Sequence, residues 1–225
     1  VRGCFFGVLA ACADRLVFHA PPPSRAPVRP GVRPDGVYRA IAGVDEVGRG
    51  PLAGPVVVAC VRMPLHDDAI IQGVNDSKKL SEKKRESLYD AIMERAISVK
   101  IAQADEKEID RVNILQATIS CMRRAIDELP APADMVLIDA VRLQCSCPTY
   151  SIIKGDALSY SIACASIVAK VTRDRMMIEY DAMYPGYGFA SNKGYGSQAH
   201  IDALHRIGKC PIHRDTFLRK ILQEN

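Results

Sequence analysis

The sequence predicts an α/β fold: a mixed sheet covered by helices. Three observations predict it. Three strand-like segments follow one another between Arg39 and Ala104, and beyond them short apolar strands alternate with helical segments. The chain has 225 residues, enough for one sizeable domain with a real core. Its hydrophobic content of 48% and charged content of 25% are ordinary for a soluble globular protein.

Taken in order, Arg39–Asp45 reads as a strand and Gly54–Met63 as a second, buried one. The few residues between them predict adjacent antiparallel strands. Residues 64–80 form a polar loop, and Ser81 is placed to cap a helix through about Arg95. Ile97–Ala104 alternates as a third strand. Asp105–Arg111 and Ile114–Leu129 read as helices, with Pro130–Asp134 as a loop. Met135–Ile138 is a short strand ending in Asp139, and Ser151–Ile153 another, ending in Lys154-Gly155-Asp156. A long helix is expected from about Ser159 to Met183. The small residues at its start predict close packing on the sheet. A loop rich in glycine and tyrosine, residues 184–196, leads to helices near Ser197–Ile207 and Asp215–Leu222.

Residues 1–38 differ in kind. They open with one arginine and a short apolar run ending in Ala-Cys-Ala, as a weak secretory signal would. Asp14 and Arg15 interrupt that run, and no stretch of membrane-spanning length follows. PPPSRAPVRPGVRPDG then reads as a disordered, proline-rich linker. A dispensable tail is expected over residues 1–38 and one catalytic domain over 39–225. Eight cysteines, several inside apolar runs, fit reduced thiols and a cytoplasmic protein. A net charge of +4 is compatible with a nucleic-acid partner without demanding one.

One feature recurs. An apolar strand ends and an acid stands at its C-terminal edge: Asp45-Glu46, then Asp139, then Asp156. Ligand sites in open α/β sheets form just outside such ends. If the strands are neighbours, the acids converge, and like charges a few ångströms apart strongly oppose ionisation. A cation would neutralise them. With only oxygen ligands in the set, that cation is a hard one, Mg²⁺ or Mn²⁺. Each acid alone has a plainer reading as a solvated loop acid, a turn residue or, for Asp139, a partner of Arg142.

Gly48-Arg49-Gly50 is no dinucleotide loop, because Gly54-Pro55 leads into a strand rather than a helix. The glycines bring backbone groups up against a ligand, and a ribose hydroxyl suits such contact. Lys78, Lys79, Lys170, Arg173 and Lys193, with Tyr187 and Tyr195, are candidates for phosphate contact and base stacking, or equally a solvated face with core tyrosines. His200, His205, Cys210 and His213 match no standard zinc spacing.

These residues carry a resemblance. The run Asp45–Val56, with Asp76-Ser77-Lys78-Lys79-Leu80, Leu137-Ile138-Asp139, Lys154-Gly155-Asp156, Ser166–Asp174, Lys193-Gly194-Tyr195-Gly196 and Pro211–Phe217, resembles type 2 ribonuclease H, specifically bacterial ribonuclease HII. The match covers about residues 40–220 with every motif in order. It implies a ribonuclease H-like fold, a five-stranded mixed sheet flanked by helices with a C-terminal helical extension. It implies two-metal-ion hydrolysis, with Mn²⁺ or Mg²⁺, of the RNA strand of RNA–DNA hybrids, and cutting 5′ of ribonucleotides embedded in duplex DNA. It assigns Asp45, Glu46, Asp139 and Asp156 to the catalytic metal-binding acids. Gly48, Arg49 and Gly50 fall on the loop that reads the 2′-OH, and Tyr195 on the tyrosine at the RNA–DNA junction. Lys78, Lys79 and Lys193 complete the expected substrate contacts. Partners are thus nucleic acids, with no membrane and a monomeric chain expected. The Arg49 form of the loop fits type HII rather than HIII. Three positions depart from the pattern: Ala140 where glycine is usual, Cys164 where alanine is usual, and Asn192 where histidine is common. Another nuclease of the same fold acting on all-DNA duplexes, or a silent hybrid-binding protein, are the competing readings.

Overall fold

A computed structural model describes residues 38–222. The expected tail thus lies almost wholly outside the described residues. Five strands form one sheet in the order β3-β2-β1-β4-β5: β1 (Ile41–Val47), β2 (Val56–Arg62), β3 (Ser98–Ala104), β4 (Met135–Asp139) and β5 (Thr149–Ile152). β1 pairs antiparallel with β2 and β2 with β3, whereas β4 runs parallel to β1 and β5 parallel to β4. The sheet is therefore mixed, and β1 is its central strand. Every residue from Ile41 to Asp45 is buried, as expected for a strand covered on both faces.

Side chains along a strand alternate between faces. Ala42 and Val44 of β1 join Val56, Val58 and Cys60 of β2 in a core with α2 (Glu106–Val112) and α3 (Ile114–Asp127). Ala59 and Val61 point to the other face, which α1 (Glu82–Arg95) and α5 (Tyr160–Met183) cover. Gly43 faces α5 as well. A Cβ there would strike the backbone of Ser161 and Ile162, so this glycine is what lets the long helix lie directly on the central strand. The predicted Ser81 cap forms, and Ser159 and Ser197 cap their helices in the same way: each accepts a hydrogen bond from the N–H three residues on.

A short α4 (Gly155–Leu158) links β5 to α5. The C-terminal part comprises α6 (Phe189–Asn192), α7 (Gln198–Ile207) and α8 (Asp215–Leu222). These pack through Phe189, Leu204, Ile212 and Leu218 onto Met177 of α5 and onto Leu52 and Ala53. The segment following β1 is thereby held under the C-terminal helices. No helix among the described residues is long and apolar enough to cross a membrane.

Candidate active site

The parallel register of β1 and β4 sets Val44 beside Ile138, so Asp45 and Asp139 are carried out at the same edge of the sheet. Asp45 is buried, with 7% of its surface exposed, and lies on the α5 side. Its Oδ1 accepts the N–H of Glu46 at 2.8 Å, and Ser166 of α5 donates a side-chain hydrogen bond to it. Ser166 in turn meets Ser77 Oγ at 2.9 Å. Asp139 Oδ1 accepts the N–H of Gly155 at 2.9 Å, fastening the end of β4 to the turn that carries Asp156. Asp156 belongs to α4 and not to a strand end, one turn further on than the sequence suggests. It is 8% exposed, with Lys78 Nζ 3.8 Å from its Oδ2.

Asp139 acts weakly on each of the other three acids. Its charge raises the pKa of Asp45, Glu46 and Asp156. The larger cause for each is burial. It lifts Asp45 well above the ordinary aspartate value, with Glu46 adding to it, and lifts Glu46 despite Arg49. Burial and the neighbouring Asp76 and Asp139 raise Asp156 against Lys78. Partial burial lowers Lys78, but Asp156, Asp45, Asp76 and Asp139 outweigh it and hold the ammonium above its usual value.

Among the described residues the acids do not close into a cage able to hold a metal ion alone. What they leave is an opening. Glu46 Oε1 meets Arg49 Nη1 at 3.3 Å, while Oε2 is buried with no hydrogen-bond partner. A buried, unpartnered carboxylate oxygen amid acids pushed toward protonation fits a hard divalent cation whose remaining ligands come from elsewhere.

The 48–55 loop is built differently. Arg173 and Arg214 are wholly buried beneath it. Arg173 donates to Pro55 O at 2.9 Å, Lys193 O at 2.9 Å and Ala53 O at 3.1 Å. Arg214 donates to Gly48 O at 2.6 Å, Gly54 O at 2.7 Å and Arg49 O at 3.0 Å. Backbone bonds from Leu52 to Gly194 and from Gly54 to Ile212 complete the anchorage. Gly48 has φ +92°, and a Cβ there would lie 2.7 Å from both Arg173 Cδ and Pro55 O. Gly50 instead faces outward, its Cβ position 3.6 Å from the Tyr195 ring, which is itself 46% exposed.

Several expectations change. Arg173 contacts no phosphate, being spent on carbonyls inside the fold. Lys170 pairs with Asp174 at 2.7 Å, and Tyr187 is a core residue. Lys193 Nζ donates to Ala190 O at 2.6 Å, so this ammonium is engaged at the end of α6. Lys79 stays exposed, 3.8 Å from Asp76. Asn192 accepts from Gly194 N–H at 2.8 Å and donates to Tyr187 O at 2.7 Å, holding the turn before Tyr195. The histidines form a chain instead of a zinc site. His200 Nδ1 meets Tyr195 O at 2.9 Å and must carry the proton. His200 Nε2 therefore accepts from His213 Nε2–H at 3.0 Å, and His213 Nδ1 accepts from Cys210 N–H at 2.9 Å. Spacing gave no sign of the roles of Arg173, Arg214 or this pair.

Comparison with known proteins places the fold and the family. Ribonuclease HII of Lachnoclostridium phytofermentans is 58% identical over 185 residues, covering 82% of this chain and 72% of that one. Ribonuclease HII of Enterococcus faecalis is 57% identical over 180 residues, 80% of this chain and 70% of its own. Among solved structures, the ribonuclease H2 of Pyrococcus horikoshii superposes with a TM-score of 0.68 at 28% identity, over 81% of this chain and 97% of that one. The family model described as Ribonuclease HII matches residues 42–220. The chain belongs to the ribonuclease HII family, hydrolytic endoribonucleases acting on RNA–DNA hybrids.

Proposed function

We propose that Asp45, Glu46, Asp139 and Asp156 hold Mg²⁺ or Mn²⁺ and that cleavage falls on the 5′ side of ribonucleotides, both in hybrids and singly embedded in duplex DNA. The observation that carries the reading is Glu46 Oε2, a buried acceptor with no donor among the described residues, in a carboxylate that interacts with Asp45 and Asp139. Divalent ions bound here would supply an activated water and a Lewis acid for the leaving oxygen. The chain's own groups do the rest. Arg49 covers the other oxygen of Glu46. Lys78, beside Asp156, offers a cation to the phosphate at the acids. Lys79 stands ready for a neighbouring phosphate. The N–H groups of Arg49 and Gly50 find no partner among the described residues and suit a 2′-OH. The Tyr195 ring, against Gly50, is placed to stack on the adjoining nucleotide. The working form is taken to be a cytoplasmic monomer that contacts nucleic acid and no membrane.

The test is one cleavage assay with Mg²⁺ or Mn²⁺ on three duplexes: one embedded ribonucleotide, a long hybrid, and all DNA. Cutting immediately 5′ of the ribonucleotide in the first is the expected result. Cleavage of the all-DNA duplex would favour a DNA endonuclease and defeat the reading.

A further inference from the structure

Two guanidiniums without a carboxylate partner lie buried beneath a loop that presents no side chain of its own at Gly48 and Gly50. Among the described residues neither arginine enters an ion pair, and their two charges are near enough for Arg173 to lower the pKa of Arg214, after burial itself. Burying charge in this way is costly, and an apolar plug would fill the space more cheaply. What an apolar plug cannot do is hold carbonyls. A guanidinium offers five donors in a fixed fork. Here the two forks take the carbonyls of Gly48, Arg49, Ala53, Gly54, Pro55 and Lys193. Phe217 closes the underside, its ring 5.1 Å from the Arg214 guanidinium.

A peptide unit whose C=O is fixed inward directs its N–H the opposite way. Arg214 holds the carbonyls of Gly48 and Arg49, which belong to the same peptide units as the N–H groups of Arg49 and Gly50. We propose that Arg173 and Arg214 are positioning residues for ribose reading: they lock the 48–55 loop with its carbonyls inward so that the Arg49 and Gly50 N–H groups face the substrate. The inference rests on the functional reading of this loop. Arg173 also grips Lys193 O, two residues before Tyr195, so one buried pair sets both the loop and the approach of the tyrosine.

The test uses the full chain, labelled with ¹⁵N. In the wild type, the Arg49 and Gly50 amides should exchange rapidly with solvent yet show order parameters near 0.8 or above, those of rigid backbone (roughly 0.85). Arg214→Lys and Arg173→Lys keep a charge and lose the fork. On a one-ribonucleotide duplex, each variant, checked by circular dichroism at the assay temperature, should lose roughly a hundredfold in kcat. KM should change by only about threefold. The Arg49 and Gly50 order parameters should drop toward about 0.6. A folded Arg214→Lys enzyme with wild-type kcat would overturn the proposal. So would wild-type order parameters already below about 0.6, a measurement that decides the matter even if both variants fail to fold. A rigid wild-type loop in a chain that cuts no ribonucleotide-containing duplex would instead remove the functional reading on which the proposal stands.

Discussion

The acidic end of β1 and β4 and the 48–55 loop beside it are adjacent in sequence and opposite in construction. The acids are short of partners. Burial and acidic neighbours raise the pKa of Asp45, Glu46 and Asp156, and Glu46 Oε2 has no donor among the described residues. The loop is oversupplied, two buried guanidiniums binding six carbonyls. The difference separates two tasks. On the proposed function, the acids await a cation and are left incomplete in the free protein, because complete internal pairing would compete with the ligand. A surface that measures a sugar must be finished beforehand, because a misplacement of about 1 Å can cost a hundredfold in rate.

The largest effect expected on this comparison is at the acids. Asp139→Asn removes the charge that reaches all three others. Loss of a cation's contribution, several kcal/mol, corresponds to roughly a thousandfold or more in cleavage rate. The fold should survive, since the asparagine Oδ1 can still accept the Gly155 N–H and the repulsion is relieved. Thermal midpoints of the metal-free Asp45→Asn and Asp139→Asn proteins should match or exceed the wild type's. Near-wild-type turnover by either would break the contrast, because the acids would then be neither short of partners nor ligands.

The two glycines of the loop sharpen it next. Gly48→Ala drives a Cβ into Arg173 and Pro55 at φ +92°, so stability should fall by about 2–4 kcal/mol from strain and overpacking together. Gly50 has ordinary space and lies against Tyr195. Gly50→Val should leave the melting temperature nearly unchanged and lower cleavage of a one-ribonucleotide duplex about a hundredfold. Equal loss of stability in both variants would mean that the loop has no separate inner and outer faces.

Acid titration separates the regions by sign. Burial lowers His213 to about 4, below the ordinary 6.5, and lowers His200 as well. The unfolded chain therefore binds more protons between pH 6.5 and about 4, and this pair's contribution is lost as pH falls through that window. The loss amounts to about 2–3 kcal/mol. Asp45, Glu46 and Asp156 act in reverse. Their folded values are raised, so their contribution is present at acid pH and lost as pH rises through those values. Metal-free melting curves from pH 7 to 4 should fall less steeply for His213→Gln than for the wild type, and more steeply for Asp45→Asn. Parallel slopes would show that neither group titrates as its surroundings dictate.

Much of this was legible in the sequence, for reasons that differ by residue. Hydrophobic runs, the Ser81 cap and the short β1–β2 connection are local features, and the elements they mark formed within a few residues of their expected bounds. The acids could be found because each follows an apolar run. Asp156 was misplaced onto a strand end because Lys154, at φ 59°, ends β5 early and starts a single helical turn. Arg173 stands between polar neighbours, so its sequence position fits a phosphate contact or a solvated face and not a buried one. Its carbonyl partners Ala53 and Pro55 lie 120 and 118 residues away. Gly48 and Gly50 looked alike for the same reason: only the fold decides which of them faces Arg173.

The smallest effect concerns how each region obtains its left-handed backbone. The loop and its support use glycine at Gly48, Gly54 and Gly194, with Lys193 the exception. The acidic end uses residues with side chains: Ala140, directly after Asp139, at φ 52°, and Lys154, two before Asp156, at φ 59°. Such a conformation costs a non-glycine residue roughly 1–2 kcal/mol. Ala140→Gly removes that strain but adds freedom to the unfolded chain, about 0.5–1 kcal/mol in the opposite sense. The net expectation is a stabilisation of about 0.5–1 kcal/mol, or roughly 1–4 °C in the melting temperature. Ala140 N–H donates to Ile152 O at 3.1 Å, a bond glycine keeps, so Asp139 should stay in place and kcat should hold within about twofold. A lower melting temperature would show that the alanine is not strained. A higher one with a large fall in kcat would show that the strain itself aims Asp139, so that the acidic end, like the loop, is fixed before substrate arrives.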